Sequence, residues 1–369
     1  MSTYEGLRER IRAEPSTWLV TGAAGFIGSN LLQSLLELDQ RVIGLDNFAA
    51  GKRDNLAEVE RAVGRAQWGN LRFIEGDIRS PDDCREACRS ARYVLHQAAL
   101  GSVPQSIEDP VSYHASNVTG FLNMLVAARE AGVSRFVYAG SSAAYGDDPG
   151  VPQIEPKVGC PLSPYGLTKY VDELYAGIFA RCYGFGSIGL RYFNVFGPRQ
   201  DPNGAYAAVI PQWVASMIRK APVHINGDGQ TARDFCYIDN VVQANLLAAT
   251  VADPAAVNQV YNIALGEKTT LSQLFATLRE LLAPHYPHLR DSRPEHREFR
   301  PGDVHLSQAD IGKAMHLLGY RPEWRLREGL AKAIEWYARV PPAERVSGDM
   351  GRVHPELFDV KHARVLRRS

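Results

Sequence analysis

The sequence predicts an α/β chain, a doubly wound parallel sheet with a smaller C-terminal lobe, and three observations carry that expectation. A short apolar run, Trp18-Leu19-Val20, flows through the glycine turn Thr21-Gly22-Ala23-Ala24-Gly25-Phe26-Ile27-Gly28 into Ser29 to Leu36, whose apolar residues recur at helical spacing. Further short apolar runs follow, separated by helical patterns, as successive right-handed crossovers require. The glycine turn and the polar ends of these runs then fall at one edge of the sheet, the carboxyl edge, where such sheets bind ligands.

Glycines in the first turn allow a tight bend, a close approach of backbone to a pyrophosphate and close packing of helix on strand, while the following helix offers its free N–H groups to the anion. The spacing is GxxGxxG, a variant of the dinucleotide fingerprint, so a Rossmann-type domain is expected. Arg41 to Asp46 is a second strand; a carboxylate at its end accepts hydrogen bonds from ribose hydroxyls and repels a 2′-phosphate, which favours NAD over NADP. Leu71 to Glu75 is a third strand, closed by Gly76-Asp77-Ile78, where Asp77 lies beside an adenine or simply serves the turn. A fourth runs from Tyr93 through His96 and Gln97 into Ala98 and Ala99, whose small side chains admit a cofactor close to the backbone; His96 reads as a packed core histidine. Asp109 to Gly132 reads as one long helix containing Asn117. Arg135 to Ala139 is a fifth strand, ending in Gly140-Ser141-Ser142-Ala143-Ala144-Tyr145-Gly146.

Next comes Ser163-Pro164-Tyr165-Gly166-Leu167-Thr168-Lys169. Proline suits the first turn of a helix, where a missing N–H costs nothing. Tyr165 and Lys169 then share one helical face a turn apart. A tyrosine is a poor base at neutral pH because its unperturbed pKa is about 10, but a nearby ammonium favours the phenolate, so the pair forms a proton-transfer device. Ser187 to Pro198 is a sixth strand with a polar exit. Beyond it the pattern loosens. The expected division is a dinucleotide domain over 1–195 plus about 235–265, a substrate lobe over 196–234 and 266–340, and a mobile tail over 341–369. The segment from Arg233 through Asp239, with a helix over Asn240 to Val251, is expected to return to the main sheet, and Arg300 to Val304 is expected to be a loop of the small lobe.

Composition narrows the classes. Lys plus Arg and Asp plus Glu number 41 each in 369 residues, so no broad basic footprint for nucleic acid exists. The five cysteines are scattered without a CxxC pair, which argues against a disulfide framework or a metal site and suits a reducing, cytoplasmic setting. Met1 to Glu14 is charged and amphipathic, neither a signal peptide nor a membrane span.

Assembled in order, the segments TGAAGFIG, LDNF, GDIR, HQAALGSVPQS, SSAAYG, SPYGLTK and LRYFNVFGPRQDP make the chain, over roughly Trp18 to Ala338, similar to the extended short-chain dehydrogenases/reductases, and within them to the nucleotide-sugar 4-epimerases acting on UDP-N-acetylhexosamines. The resemblance implies a tightly bound NAD, held through Gly22, Gly25, Phe26, Ile27, Gly28, Asp46, Asn47 and Phe48 at the first two strands. It adds Asp77, Ile78, Gln97, Ala98, Ala99, Asn117, Tyr192 and Val195 further along. It makes Tyr165 the base, Lys169 its tuner and the anchor of the nicotinamide ribose, and Ser141, or alternatively Ser142, the hydroxyl on the sugar O4. A UDP-sugar is implied at Gly101, Ser102, Val103, Asn194, Ala208, Val209, Asn226, Arg233, Arg300 and Asp303. The planar forks of the two arginines suit diphosphate oxygens. C4 of the sugar is oxidised to a transient ketone and reduced again on its other face. Related dehydratases place Asp and Glu where Ser142 and Ala143 stand here, so elimination has no evident acid/base pair. Decarboxylation, a uronic-acid substrate and an NAD-binding regulator are the remaining alternatives. Ser307 stands where a Tyr restricts related enzymes to plain hexoses, and its small side chain leaves room for an N-acetyl group. A homodimer is implied too, through the helices Pro110 to Gly132 and Tyr165 to Cys182, with Val111, Phe121, Leu122, Leu125 and Leu174 as candidate contacts.

Overall fold

A computed structural model describes residues 3–202, 208–299 and 306–339. Numbered along the chain, its strands are β1 (Thr17–Thr21), β2 (Arg41–Asp46), β3 (Leu71–Glu75), β4 (Tyr93–His96), β5 (Arg135–Ser141) and β6 (Ser187–Tyr192). They continue with the short β7 (Val195–Phe196), β8 (His224–Asn226), β9 (Ala232–Arg233) and β10 (Cys236–Tyr237), the longer β11 (Gln259–Ile263), and the short β12 (Thr269–Thr270) and β13 (Glu295–Arg297). Seven of them form one parallel sheet in the order β11-β6-β5-β4-β1-β2-β3. Strand order reverses between β1 and β4, which creates the switch-point crevice of a Rossmann-type sheet.

Successive residues of each central strand serve opposite cores, because side chains alternate across a sheet. Trp18, Val20, Val42, Leu95 and Val137 belong to one core, which includes Leu31 and Leu35 of α2 (Phe26–Glu37). Leu19, Ile43, Val94 and Phe136 belong to the other. Burial on both faces is why these strands read as continuous apolar runs. The edge strand β3 is only half-buried.

The remaining helices follow in order: α1 (Thr3–Ala13) before the sheet, then α3 (Arg53–Trp68), α4 (Pro81–Cys88), α5 (Val103–Glu108), α6 (Pro110–Tyr113) and α7 (Gly120–Glu130). After them come α8 (Pro164–Tyr183), α9 (Val209–Ile218), α10 (Ile238–Thr250), α11 (Leu271–Leu282), α12 (Gly312–Leu317) and α13 (Leu326–Tyr337). Gln40 ties α1 to the sheet: Trp18 Nε1 and the Ser16 N–H donate to its Oε1 at 3.1 and 2.9 Å, and its Nε2 donates to the carbonyls of Ile11 and Leu38. All of that amide's hydrogen-bonding capacity is used in a buried position.

The structure differs from the sequence expectation in three places. The single helix expected over Asp109 to Gly132 is divided into α6, a π-helical turn over His114–Thr119, and α7. That turn carries Asn117, whose side chain bonds both the N–H and C=O of Leu100 and the hydroxyl of Thr168; an extra residue per turn accommodates these bonds and leaves no mark in apolar periodicity. Phe121 and Leu125, expected at a dimer contact, are 0% exposed, because α7 turns them onto the sheet. The segment expected to return to the main sheet does so through α10 and β11, whereas β10 pairs with β7 in a separate two-stranded ladder.

Candidate active site

The glycine turn closes tightly. Gly22 has φ +66 and its N–H donates to Leu45 O at 2.8 Å, while a Cβ on Gly28 would stand 2.0 Å from Gly22 O, so only hydrogen fits there. Gly25 is the N-cap of α2 and no side chain caps it, which leaves the N–H groups of Phe26 and Ile27 pointing out of the helix end. Asp46, buried at the end of β2, accepts from Ala24 N at 2.9 Å and from Phe48 N at 2.7 Å; burial pushes its carboxyl up and those backbone donors pull it back. Beside it Asn47 Nδ2 donates to Asp77 Oδ2 at 2.9 Å, and the paired Arg79 guanidinium holds Asp77 down at about 2. Asp77 therefore serves its turn and also stands beside Asp46. Ile78 is buried, and a Cβ on Gly120 would meet its side chain at 2.6 Å.

At the end of β4 the Thr21 hydroxyl receives the Ala98 N–H at 3.2 Å and lies 2.8 Å from His96 Nδ1. A Cβ on Gly22 would come within 2.9 Å of Ala98 N, so the glycine turn and this strand end approach as closely as backbone allows. Ala99 is half-buried next to them. Gln97, Tyr192 and Asn245 form a chain of side-chain hydrogen bonds of 2.9 to 3.2 Å that joins β4, β6 and α10. An expected dinucleotide fits this edge: uncapped helix donors for a diphosphate, a carboxylate at the end of β2 for ribose hydroxyls, and alanines where the backbone must be approached.

The Tyr165–Lys169 pair lies across the crevice. Ser163 caps α8 through Gly166 N, and Pro164 occupies its first turn. A Cβ on Gly166 would be 2.6 Å from Ala143 O, so the helix start bears directly on the 3-10 turn Ser142–Tyr145. Ser141 caps that turn by accepting from Ala143 N at 3.1 Å and keeps its own proton to donate; Ser142 is half-buried beside it. Tyr165 is half-buried, its ring edge-on to Tyr113 at 6.5 Å. Lys169 is buried and donates to the backbone of β5 at Ala139 O, 3.0 Å away, and to Asp172 at 3.3 Å.

The residues expected at a sugar nucleotide are spread over several segments. Gly101 and Val103 are exposed, and the Ser102 N–H donates to Tyr113 OH. Asn194, with φ +33, donates to Asp234 O at 2.9 Å, and Gln200 donates to Val195 O. Ser307 N donates to Ala232 O at 3.1 Å, which sets Ser307 across the backbone from Arg233. Ala208 caps α9, Val209 begins it and Asn226 ends β8. A cavity of about 350 Å³ between α9, β8 and β13 includes Asn226 but none of the residues of the sheet edge. Arg300 and Asp303 lie outside the described residues.

Sequence reasoning missed two buried carboxylates. Asp234 accepts from Leu265 N, Gly266 N and Ala309 N, and burial pushes it up to about 7; it locks the segment of Asn194 to that of Ser307. Asp172 pairs with Lys169, and its position three residues along the helix was the available signal. Among the described residues no helix is long and apolar enough to cross a membrane.

Residues 18–264 match the family model described as NAD dependent epimerase/dehydratase family. A putative UDP-glucose 4-epimerase of Methanocaldococcus jannaschii is 36% identical over 86% of this chain and 97% of its own. The structure of a UDP-N-acetylglucosamine 4-epimerase from Methanobrevibacter ruminantium in complex with UDP-N-acetylmuramic acid is 34% identical, with TM-score 0.80 over 88% of this chain and 99% of that one. A UDP-glucuronic acid 4-epimerase from Bacillus cereus in complex with UDP-glucuronic acid and NAD is 29% identical, with TM-score 0.76 over 87% and 99%.

Burial, reinforced by the Lys169 charge, takes His96 from its ordinary 6.5 down to about 3, so it is neutral in the fold. The unfolded chain binds this proton below about 6.5 and the folded chain does not until about 3, so stability falls as pH drops through that window. His96→Gln is expected to flatten that dependence, read as urea midpoints at pH 7 and pH 4 (about one proton less in slope); an unchanged slope refutes it.

Proposed function

The chain belongs to the NAD dependent epimerase/dehydratase family, and from that premise we propose that it is a UDP-sugar 4-epimerase whose main substrates are UDP-GlcNAc and UDP-GalNAc. The observation that carries the reading is the seating of the Tyr165–Lys169 turn of α8 against the Ser141–Ser142 turn, across the crevice from an uncapped glycine turn. Tyr165 takes the proton of the sugar C4 hydroxyl and returns it. Ser141, already oriented by the Ala143 N–H, donates to O4 and steadies the charge that develops there. Lys169, one turn along α8 from Tyr165, has its ammonium fixed by β5 and tunes the phenol. When bound at the glycine turn, NAD supplies a reversible hydride acceptor for C4. Once C4 has given up both its hydroxyl proton and its hydride, the 4-keto sugar would turn about its bonds to the diphosphate and present its other face, while Arg233 keeps the nucleotide end in place. NAD restored to its oxidised form in each cycle would need no exchange with solution for turnover.

Selectivity for the acetamido group rests on Ser307, whose small side chain is buried and whose N–H is bonded to the carbonyl of Ala232. Assembly follows from an apolar stripe: Leu167, Leu174 and Ile178 of α8 are about half-exposed, and Val111 of α6 is 77% exposed. Such a stripe is self-complementary about a two-fold axis and fits a second copy of the chain.

Tyr165→Phe is expected to lower kcat about 10²–10⁴-fold with NAD content unchanged, measured by NMR of C4 epimers without added NAD. If it epimerises at the wild-type rate, the base assignment is refuted. In the same assay, run with UDP-GlcNAc, UDP-Glc and the UDP-hexosaminuronic acids separately, Ser307→Tyr is expected to suppress turnover of the acetylated sugar and spare UDP-Glc. Equal loss of both would remove Ser307 as the selector, and turnover of the uronic acids alone would replace the substrate. Leu174→Asp is expected to sediment as a monomer where the parent sediments as a dimer; an unchanged mass moves the interface elsewhere.

A further inference from the structure

Lys169, one helical turn from Tyr165, does not stand alone. Its ammonium is 3.3 Å from Asp172 Oδ2, and Asp172 is 1% exposed. Proton transfer at Tyr165 needs a positive charge, and a carboxylate at that distance cancels much of it. Burying a carboxylate is also costly, and here one oxygen, Oδ1, has no hydrogen-bond partner among the described residues. A side chain kept there against those costs calls for a function.

The surroundings leave Lys169 as its polar partner. On α8 itself the next residue, Glu173, is engaged by the Arg191 guanidinium of β6 through bonds of 2.8 and 2.6 Å. From β5 comes Tyr138, a buried phenol pushed far up by its burial, with Glu173 and Asp172 adding to the effect. From β4 comes His96, neutral in the fold. Each of these neighbouring charges is therefore paired or suppressed, and among the described residues Asp172 is the carboxylate that opposes the ammonium of Lys169.

We propose that Asp172 is a positioning residue for proton transfer at Tyr165: its carboxylate holds Lys169 against the carbonyl of Ala139 and offsets the ammonium field that acts on the phenol. The proposal rests on the reading of Tyr165 as the base. Burial pushes the Asp172 carboxyl up and Lys169 pulls it back down. Where the carboxylate is charged the pair is close to neutral, and the field that reaches the phenol is correspondingly weaker.

Asp172→Asn removes the charge and keeps an amide oxygen for Nζ. In the NAD-bound protein the ultraviolet signature of the phenolate, taken as the difference from Tyr165→Phe, is expected to appear about one pH unit lower than in the parent. The acid limb of kcat/KM should move with it. In a Lys169→Met background a buried, unpaired Asp172 is protonated, so adding Asp172→Asn is expected to move nothing. An unshifted phenolate signature, or the same shift in both backgrounds, overturns the proposal, since a merely structural role would act alike in each. If the asparagine variant does not fold, Asp172→Ser carries the same expectation. The absorbance measurement needs no sugar: a shifted signature in a protein that epimerises nothing sinks the substrate reading alone, whereas intact epimerisation with an unshifted signature sinks this one.

Discussion

One hydrogen bond organises the crevice, the 3.0 Å contact from the Lys169 ammonium to the backbone carbonyl of Ala139. It joins the first turns of α8 to the carboxyl end of β5, and so fixes Tyr165 relative to Ser141 and Ser142 at the strand exit. A helix and a strand held only by apolar contact would keep their distance but not their register, because packing tolerates sliding more readily than a directional bond to a charged donor does. The Gly166 backbone resting on Ala143 O supplies the second point of contact, and two points define an orientation.

The opposite wall follows the same logic with backbone in place of side chains. Gly22 and Gly28 let the turn close until a single methyl group would not fit, and Asp46 gathers the N–H groups of Ala24 and Phe48 around one carboxylate. Both walls meet at the reversal of strand order between β1 and β4, where neighbouring crossovers leave on opposite faces and open a crevice. Further out, Asp234 accepts the Asn194 side chain at its carbonyl and three backbone N–H groups, of Leu265, Gly266 and Ala309, at its carboxylate, and so ties the loop of Asn194 to the exit of β11 and to the segment of Ser307.

Buried charge is distributed economically. Arg191 is matched by Glu173, Lys169 by Asp172, and Asp46 and Asp234 by backbone donors. Removing one partner of such a pair costs far more than the pair contributes, because an uncompensated charge is left in low dielectric. The exposed ion pairs, such as Arg53 with Glu75, are solvated and contribute little.

The sequence alone determined the sheet, its glycine turn and the helical register that places Tyr165 and Lys169 on one face, because these features depend on local periodicity and on residue types with a single conformational use. It also marked His96 as a core residue from the apolar run around it. It did not reveal the π turn at Asn117, since the extra residue is held by bonds to Leu100 and Thr168 that are distant along the chain. Nor did it separate Phe121 and Leu125, which face the sheet, from Val111 and Leu174, which face out, because helical periodicity does not say which apolar stripe a neighbour covers. The donors to Asp234 were decided by the fold alone, and although Lys169 and Asp172 share a helical face in the sequence, the burial that isolates their pair was not legible there: a carboxylate's charge is set by what surrounds it, and those surroundings exist only once β5, β6 and the later segments have packed around it.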